Sequence, residues 1–237
     1  MKTFLSAPTI DDFIRLLRAW RFWVLGALAG ALLGMAVYAI FPPDFRARAT
    51  VVVSFNMEKA WPVNSDKELF YYLERESRKV EEVAWADETL QQVADQTGFG
   101  LSELRSGKLE LSQPKDGGWH FYASDPDAAI AAKLASAWAE TFTGKIRTGI
   151  VTAVQLDAAR KALASNPGDK DAQAIVSQLE GKSLAITPEL QISLSQSQDL
   201  PAARKSGFGT YALASAGILL ALGALLILFF NQKDLAA

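Results

Sequence analysis

Two uncharged hydrophobic spans lie near the ends of this sequence, at residues 22–41 and 208–230, with a long polar segment between them. Each has about 20 residues or more, the length that an α-helix needs to cross roughly 30 Å of hydrocarbon. The pattern predicts two transmembrane helices that hold residues 42–207 to one face of a membrane. We expect the function to reside in that intervening segment.

Basic residues ahead of the first span predict the orientation, because an excess of Lys and Arg marks the cytoplasmic side of a membrane helix. They are Lys2, Arg15, Arg18 and Arg21. Two spans then return residues 231–237 to the cytoplasm, so residues 42–207 should lie outside it. Basic residues beside the spans on the other face weaken this bias, but long loops translocate largely regardless of charge.

A cleaved signal peptide is the alternative interpretation of the first span. Its apolar run is longer than the about 7–15 residues of a signal-peptide core, and small residues are expected at a cleavage site. Here Pro42-Pro43 follows the span instead. We therefore expect the span to be retained as a membrane helix.

Composition narrows the classes of function. Residues 42–207 hold 19 Lys and Arg against 23 Asp and Glu, a net charge of −4, so no basic face for nucleic acid is predicted. The chain has no cysteine, which excludes disulfides and thiolate chemistry. About 165 residues suffice for one domain with its own core.

The N-terminal residues 9–21 place Ile10, Phe13 and Leu17 at helical spacing opposite charged residues. This is typical of an amphipathic helix in the membrane interface, although an extension of the first membrane helix fits equally well. The whole sequence thus divides into a cytoplasmic amphipathic N-terminus (1–21), a transmembrane helix (22–41), an extracytoplasmic α+β domain (42–207) with a helical arm (126–184), a second transmembrane helix (208–230) and a short cytoplasmic tail (231–237).

Glycines fall at strict four-residue intervals in the first span, at Gly26, Gly30 and Gly34. They line one helix face and lack side-chain bulk, so another helix can approach closely, although glycine is also common in membrane helices generally. The second span offers a less regular surface of small residues at Ala212, Ala216, Gly217 and Ala221. We expect the spans to pack against each other or against spans of another copy.

The segment between the spans combines strands and helices. A valine-rich run predicts a strand at 49–55, and a capping box that starts at Ser65 predicts a helix to about residue 83. A second helix is predicted at 87–97, ending at a glycine. Two alternating runs, 108–113 and 119–123, predict a β-hairpin.

A long helix is predicted at 126–165, opened by the polar residues Ser124-Asp125 and by Pro126 in its first turn. Its apolar stripe is Ile130, Leu134, Trp138, Phe142, Ile146, Ile150 and Ala153. A turn at 166–168, a return helix at 169–184 and a strand at 189–195 follow. Because the first and last strands adjoin the spans, we expect the sheet beside the bilayer and the turn pointing away.

Residues that could support chemistry have simpler explanations. His120 is out of phase with its apolar strand neighbours, which predicts a solvent-facing side chain rather than a ligand or base. Gly181-Lys182-Ser183 lacks the preceding glycine of a phosphate-binding loop. Asp125 and Asp127 fit helix capping better than paired catalytic carboxylates. We expect no catalytic site, metal or cofactor.

The order of these motifs resembles the Wzz-type chain-length determinants, also called polysaccharide co-polymerases, of bacterial inner membranes. The matching residues are Ile10-Asp11-Asp12-Phe13, residues 45–53, 86–98 and 107–113, and Ser124-Asp125-Pro126-Asp127-Ala128-Ala129 with the helix after it. In this family a proline-rich segment enters the second span, whereas here only Pro201 remains.

The resemblance implies a membrane-proximal α+β domain of ferredoxin-like fold with a projecting helical hairpin. It also implies a non-enzymatic homo-oligomer that regulates the chain length or export of a lipopolysaccharide O-antigen, capsule or exopolysaccharide. The implied partners are further copies of the chain, a membrane polysaccharide polymerase or export machinery, and the growing glycan.

Three alternatives remain open from the sequence. The chain could activate a separate cytoplasmic tyrosine kinase through residues 231–237, although that tail is short. It could be a two-span sensor, or an enzyme that acts on glycans. The sequence shows no signalling module that would favour the sensor and no catalytic motif that would favour the enzyme.

Overall fold

The computed structural model describes residues 20–56, 66–113, 118–196 and 202–230, together with Ile14 and Arg18. Most of the N-terminal amphipathic segment, the capping residue Ser65, and the C-terminal tail therefore lie outside the described residues. The chain forms two compact units, Met1–Pro43 with Arg204–Ala237, and Asp44–Ala203. It is 69% helical with one antiparallel sheet, which confirms the predicted mixture of helices and strands.

The elements follow one another in a simple order. In sequence they are α1 (Trp20–Ile40), β1 (Phe45–Phe55), α2 (Asp66–Trp85), α3 (Asp87–Thr97), α4 (Leu101–Glu103), a π-helical turn (Leu104–Lys108), β2 (Leu109–Ser112), β3 (Gly118–Asp125), α5 (Ala128–Ser165), α6 (Lys170–Lys182), β4 (Leu190–Gln196), β5 (Ala203–Arg204) and α7 (Phe208–Phe230).

In the first unit α1 packs against α7. Both helices are long and apolar enough to cross a membrane, as the sequence predicts. Only 11% of the most apolar window of α1 is buried, and none of that of α7. Side chains such as Phe22 and Leu213 are more than 70% exposed. A core helix of a soluble protein would have most of this surface covered, so the exposure fits helices whose surroundings are hydrocarbon.

In the second unit the sheet has the strand order β2-β3-β1-β4, and all the described neighbours are antiparallel. β1 starts at Phe45, four residues before the predicted start. The charged residues Arg46 and Arg48 made this part of the strand hard to recognise in the sequence. In the structure they alternate with buried Ala47 and Ala49. The Arg46 guanidinium lies 3.7 Å from the ring centroid of Tyr122 on β3, so it belongs to the regular strand face.

Helix α5 supplies the centre of the core. Leu134, Trp138, Phe142 and Ile146 have no exposed surface, as their helical spacing predicts. Phe121 of β3 lies against both aromatic residues of α5, with ring centroids 4.8 Å from Trp138 and 4.9 Å from Phe142. The predicted stripe is wrong at its first member, because Ile130 is 40% exposed.

The start of α5 also differs from the prediction. Asp127 is the N-cap, and its carboxylate accepts hydrogen bonds from the backbone N–H groups of Ala129 and Ile130. Pro126 precedes the cap instead of occupying the first helical turn. A carboxylate side chain that can reach two unpaired N–H groups fixes the helix start better than a proline can.

The second half of α5 and α6 form a helical hairpin. The turn at Asn166–Asp169 ends α5, and the Asp169 carboxylate caps α6. Val176 is buried in the hairpin, whereas Ile175 is 51% exposed. α6 ends at Lys182, two residues before the predicted end, because the following segment crosses α5. A Cβ at Gly149 would lie 2.9 Å from Ile186 Cδ1, so a larger residue there would force the Ile186 and Leu184 side chains to shift.

Helices α2 and α3 join end to end against α5. α3 spans the predicted residues and ends at Gly98, whose φ of 81° is left-handed and whose N–H donates to Ala94 O. Ala84, in the last turn of α2, is fully buried, and the indole Nε1 of Trp138 donates to its carbonyl oxygen at 2.9 Å. That bond satisfies a carbonyl that has no partner within its own helix.

Replacing Trp138 with Phe should destabilise the second unit by about 1–3 kcal/mol, because it leaves the buried Ala84 carbonyl without a donor. Denaturant unfolding of the full chain in detergent, followed by circular dichroism, would measure the loss. Trp85→Phe is the matched control, since Trp85 is only half-buried and packs on Trp138 through ring contact. Equal effects of the two changes would argue against the hydrogen bond.

Candidate functional site in the apolar helix pair

The glycine face of α1 meets the backbone of α7. Gly30 and Gly34 are the two buried residues of α1. A Cβ at Gly30 would lie 2.6 Å from Ala216 Cα and 2.7 Å from Ser215 O. A Cβ at Gly34 would collide with the backbone carbonyl of Tyr211. The helices are therefore in backbone contact at these two positions, which no residue with a side chain permits.

The other predicted packing residues contribute less. A Cβ at Gly26 would make an ordinary contact with Leu220 Cδ2 at 3.8 Å. Ala212 is half-buried, and Ala216 forms the contact with Gly30 described above. Gly217 and Ala221 are exposed, so the expected small-residue surface of the second span is correct for part of its length only. Tyr211 and Ser215 were missed, because only alanine and glycine positions of the second span were selected, yet both lie against the glycine face.

An aromatic and cationic cluster closes one end of the helix pair. The Tyr38 ring makes edge-on contacts with Phe208 and Tyr211, with centroids 6.1 and 5.5 Å apart. The Arg204 guanidinium lies 5.8 Å from the Tyr38 centroid, and its Nη1 donates to Pro43 O at 2.9 Å. The chain therefore leaves α1 and enters α7 at points tied together by direct contacts.

In the second unit, His120 does not face solvent, contrary to the prediction. It is 8% exposed, and its Nδ1 is 2.9 Å from Thr50 Oγ1 on the neighbouring strand. The phase was right, since His120 lies on the opposite sheet face from Trp119 and Phe121, but its neighbours there, Thr50 and Tyr122, bury the ring. Among the described residues, no group of three or more His, Cys, Asp or Glu side chains is placed to hold a metal ion.

Asp125 and Asp127 serve the start of α5, as their positions predict. Asp125 is 5% exposed, and its carboxylate accepts hydrogen bonds from Lys108 Nζ at 2.6 Å and from the backbone N–H of Asp127 at 2.9 Å. Burial alone would raise the pKa of Asp125, but these two hydrogen bonds and the charge of Lys108 outweigh it and lower the pKa. Burial alone would lower the pKa of Lys108, but its carboxylate partners raise it.

Lys108 and Asp125 connect two parts of the second unit. Lys108 ends the helical turn before β2, and its ammonium also lies 4.6 Å from the Phe99 ring and 3.6 Å from the Glu103 carboxylate. The interaction joins the β2–β3 hairpin to the start of α5. The pKa shifts therefore have a structural cause and do not point to proton transfer.

No protein-family model matches the sequence, and comparison with curated proteins finds no match either.

Gly30→Leu should separate α1 from α7, because the side chain would overlap the α7 backbone and overpacking costs roughly 1–3 kcal/mol or more. Gly217→Leu is the matched control, since no atom in the described part of the chain lies within 4 Å of a Cβ there. The chain has no cysteine, so Gly26→Cys with Leu220→Cys gives a specific disulfide readout. We expect cross-linking in the control and little in Gly30→Leu. Equal cross-linking would mean that α1 and α7 do not need the glycine contact.

Asp125→Asn should destabilise the chain by about 1–3 kcal/mol at neutral pH, because it removes a buried charge-assisted hydrogen bond. The folded pKa of Asp125 lies below the unfolded one, so its contribution is full above the ordinary value of about 3.9 and is lost as pH falls through the folded pKa. The variant and the original chain should thus converge in acid.

Unfolding measured across acidic and neutral pH would test this convergence. The control is Asp157→Asn, which removes the exposed pair with Lys161 and should change the stability little at any pH. A constant difference between Asp125→Asn and the original chain down to strongly acidic pH would contradict the proposed role of the Asp125 carboxylate.

Proposed function

We propose that this chain is a non-enzymatic polysaccharide co-polymerase of the bacterial inner membrane, which regulates the chain length or export of a surface polysaccharide. The single observation that carries the proposal is the combination of paired apolar helices near both ends with one α+β unit between them. The resemblance of the sequence motifs to the Wzz-type family is the second support.

The connectivity of the second unit supports a ferredoxin-like core. Its order is strand, helices, two strands, long helix and strand, and its sheet order is β2-β3-β1-β4. This is the β-α-β-β-α-β pattern of ferredoxin-like folds. The helical hairpin of α5 and α6 is an addition to that pattern, and it corresponds to the arm that the resemblance implies.

The exposed surface of the helix pair supports a partner within the membrane. After α1 and α7 have paired, Leu25, Leu32 and Leu225 are each 63% exposed. We propose that this surface contacts lipid, further copies of the chain in a homo-oligomer, and the polymerase or export machinery. The N-terminal basic residues favour cytoplasmic termini, which supports an extracytoplasmic α+β unit.

Deletion of the gene tests the proposal directly. The size distribution of the surface polysaccharide should change while total polymer is still made, because a regulator alters when elongation stops. Gel ladders and a total-sugar assay measure both quantities. Unchanged ladders would contradict the proposal, and complete loss of polymer would favour a role in synthesis or export over length control.

Complementation with variants links the deletion to the helix pair. The original chain and Gly217→Leu should restore the ladder, whereas Gly30→Leu should not. Immunoblots must show equal amounts of each variant in the membrane. Loss of protein tyrosine phosphorylation in the deletion strain would instead support the alternative role as a kinase activator.

A further inference from the structure

Two basic residues lie at the end of the helix pair where α1 ends and α7 begins. Arg204 and Lys205 directly precede α7, and residues 20–43 and 204–230 contain no Asp or Glu. The remaining basic residue of these ranges, Arg21, lies in the first turn of α1, at the opposite end of that helix. Positive charge is therefore concentrated at the end where the two helices are joined by the aromatic and cationic cluster.

The two cations differ in how they are held. Arg204 is half-buried, its Nη1 donates to Pro43 O at 2.9 Å, and its guanidinium lies 5.8 Å from the Tyr38 centroid. Lys205 is exposed, and no acidic side chain in the described part of the chain forms an ion pair with it. The Lys205 ammonium can therefore reach a negatively charged group outside the chain, next to a second positive charge that is fixed in place.

The neighbouring aromatic rings indicate the depth of these cations in a membrane. Tyr38 makes edge-on contacts with Phe208 and Tyr211. Tyrosine is enriched where a membrane helix meets the lipid headgroups, because its ring is apolar and its hydroxyl is polar. α1 and α7 have 21 and 23 residues, the length that spans the hydrocarbon, so their ends fall near the headgroups. Arg204 and Lys205 thus lie at headgroup level when the helix pair crosses a bilayer.

Exposed apolar side chains surround the same end of the helix pair. Ile40 is 68% exposed, Phe41 72% and Phe208 51%. A soluble anion would use the two positive charges but would leave this apolar surface in water. A phospholipid that carries a net negative charge fits both features, because its phosphate can meet the cations while its acyl chains cover the apolar side chains.

We propose that this end of the helix pair binds the headgroup of an anionic phospholipid. The Lys205 ammonium binds the phosphate as a charged hydrogen-bond donor, and the positive charge of Arg204 adds to the attraction. A zwitterionic phospholipid is bound less well, because its headgroup also carries a positive charge that the two cations repel. The inference goes beyond the proposed function, since it requires only that the helix pair lies in a membrane.

The test measures which lipids gather at this end of the helix pair. The chain has no cysteine, so Gly209→Cys gives a single site for a fluorophore, and no atom of the described residues lies within 4 Å of a Cβ there. The labelled full chain is placed in phosphatidylcholine nanodiscs that contain equal small fractions of nitroxide-labelled phosphatidylglycerol or phosphatidylcholine. Nitroxide quenching acts over a short distance, so it reports lipids here and not those beside Arg21. Phosphatidylglycerol should quench more strongly, and added salt should reduce the difference.

Variants of Lys205 separate a local site from general attraction by charge. Lys205→Gln should lower the preference for phosphatidylglycerol roughly two- to fivefold, whereas Lys205→Arg keeps the charge and should retain it. Lys170→Gln is the matched control, because it removes one exposed positive charge from the second unit. Thermal unfolding of Lys205→Gln should match that of the original chain, since the side chain is exposed.

Three results would overturn the lipid proposal. They are equal quenching by the two lipids, an unchanged preference in Lys205→Gln, and an equal loss of preference in Lys170→Gln and Lys205→Gln. The polysaccharide ladders after gene deletion test the proposed function separately, because the lipid preference is measured on the purified chain.

Discussion

The backbone contact between α1 and α7 is the constraint on which the rest of the chain depends. Hydrocarbon provides no hydrophobic force between two apolar helices, so close packing must stabilise their pairing. Gly30 and Gly34 allow that packing, and the contacts of Arg204 with Pro43 and Tyr38 hold the end of one helix to the start of the other. The segment between them is thereby closed into a loop at its base. Closure removes much of the entropic cost of pairing β1 with β4, which lie far apart in sequence but adjacent in the sheet.

Local patterns predicted the elements that depend on neighbours in sequence. α3 ends at Gly98 because a left-handed residue closes the helix, and the burial of Trp138 and Phe142 follows from their four-residue spacing. His120 could not be placed in this way. Its burial arises because β3 is an inner strand with Thr50 of β1 beside it, and strand order is a long-range property that alternation within one strand does not contain.

The glycine pattern of the first span was informative for a different reason. A helix face without side chains predicts that another helix packs closely, but it does not identify the residues of that helix. In the structure they are the Tyr211 carbonyl and the backbone of Ser215 and Ala216. The predicted small residues of the second helix therefore located the Gly30 contact at Ala216 but not the Gly34 contact at Tyr211. When one helix lacks side chains, the other can approach with its backbone while larger side chains pass to either side.

Gly144 and Gly149 both lie in α5, but the contacts around them differ. At Gly149 a Cβ would approach the side-chain ends of Leu184 and Ile186, whose segment crosses α5, so glycine gives that segment room. No atom of the described residues lies within 4 Å of a Cβ at Gly144, yet glycine there lowers helix stability by about 0.5–1 kcal/mol relative to alanine. The close approach of the crossing segment therefore accounts for Gly149, whereas packing among the described residues does not account for Gly144.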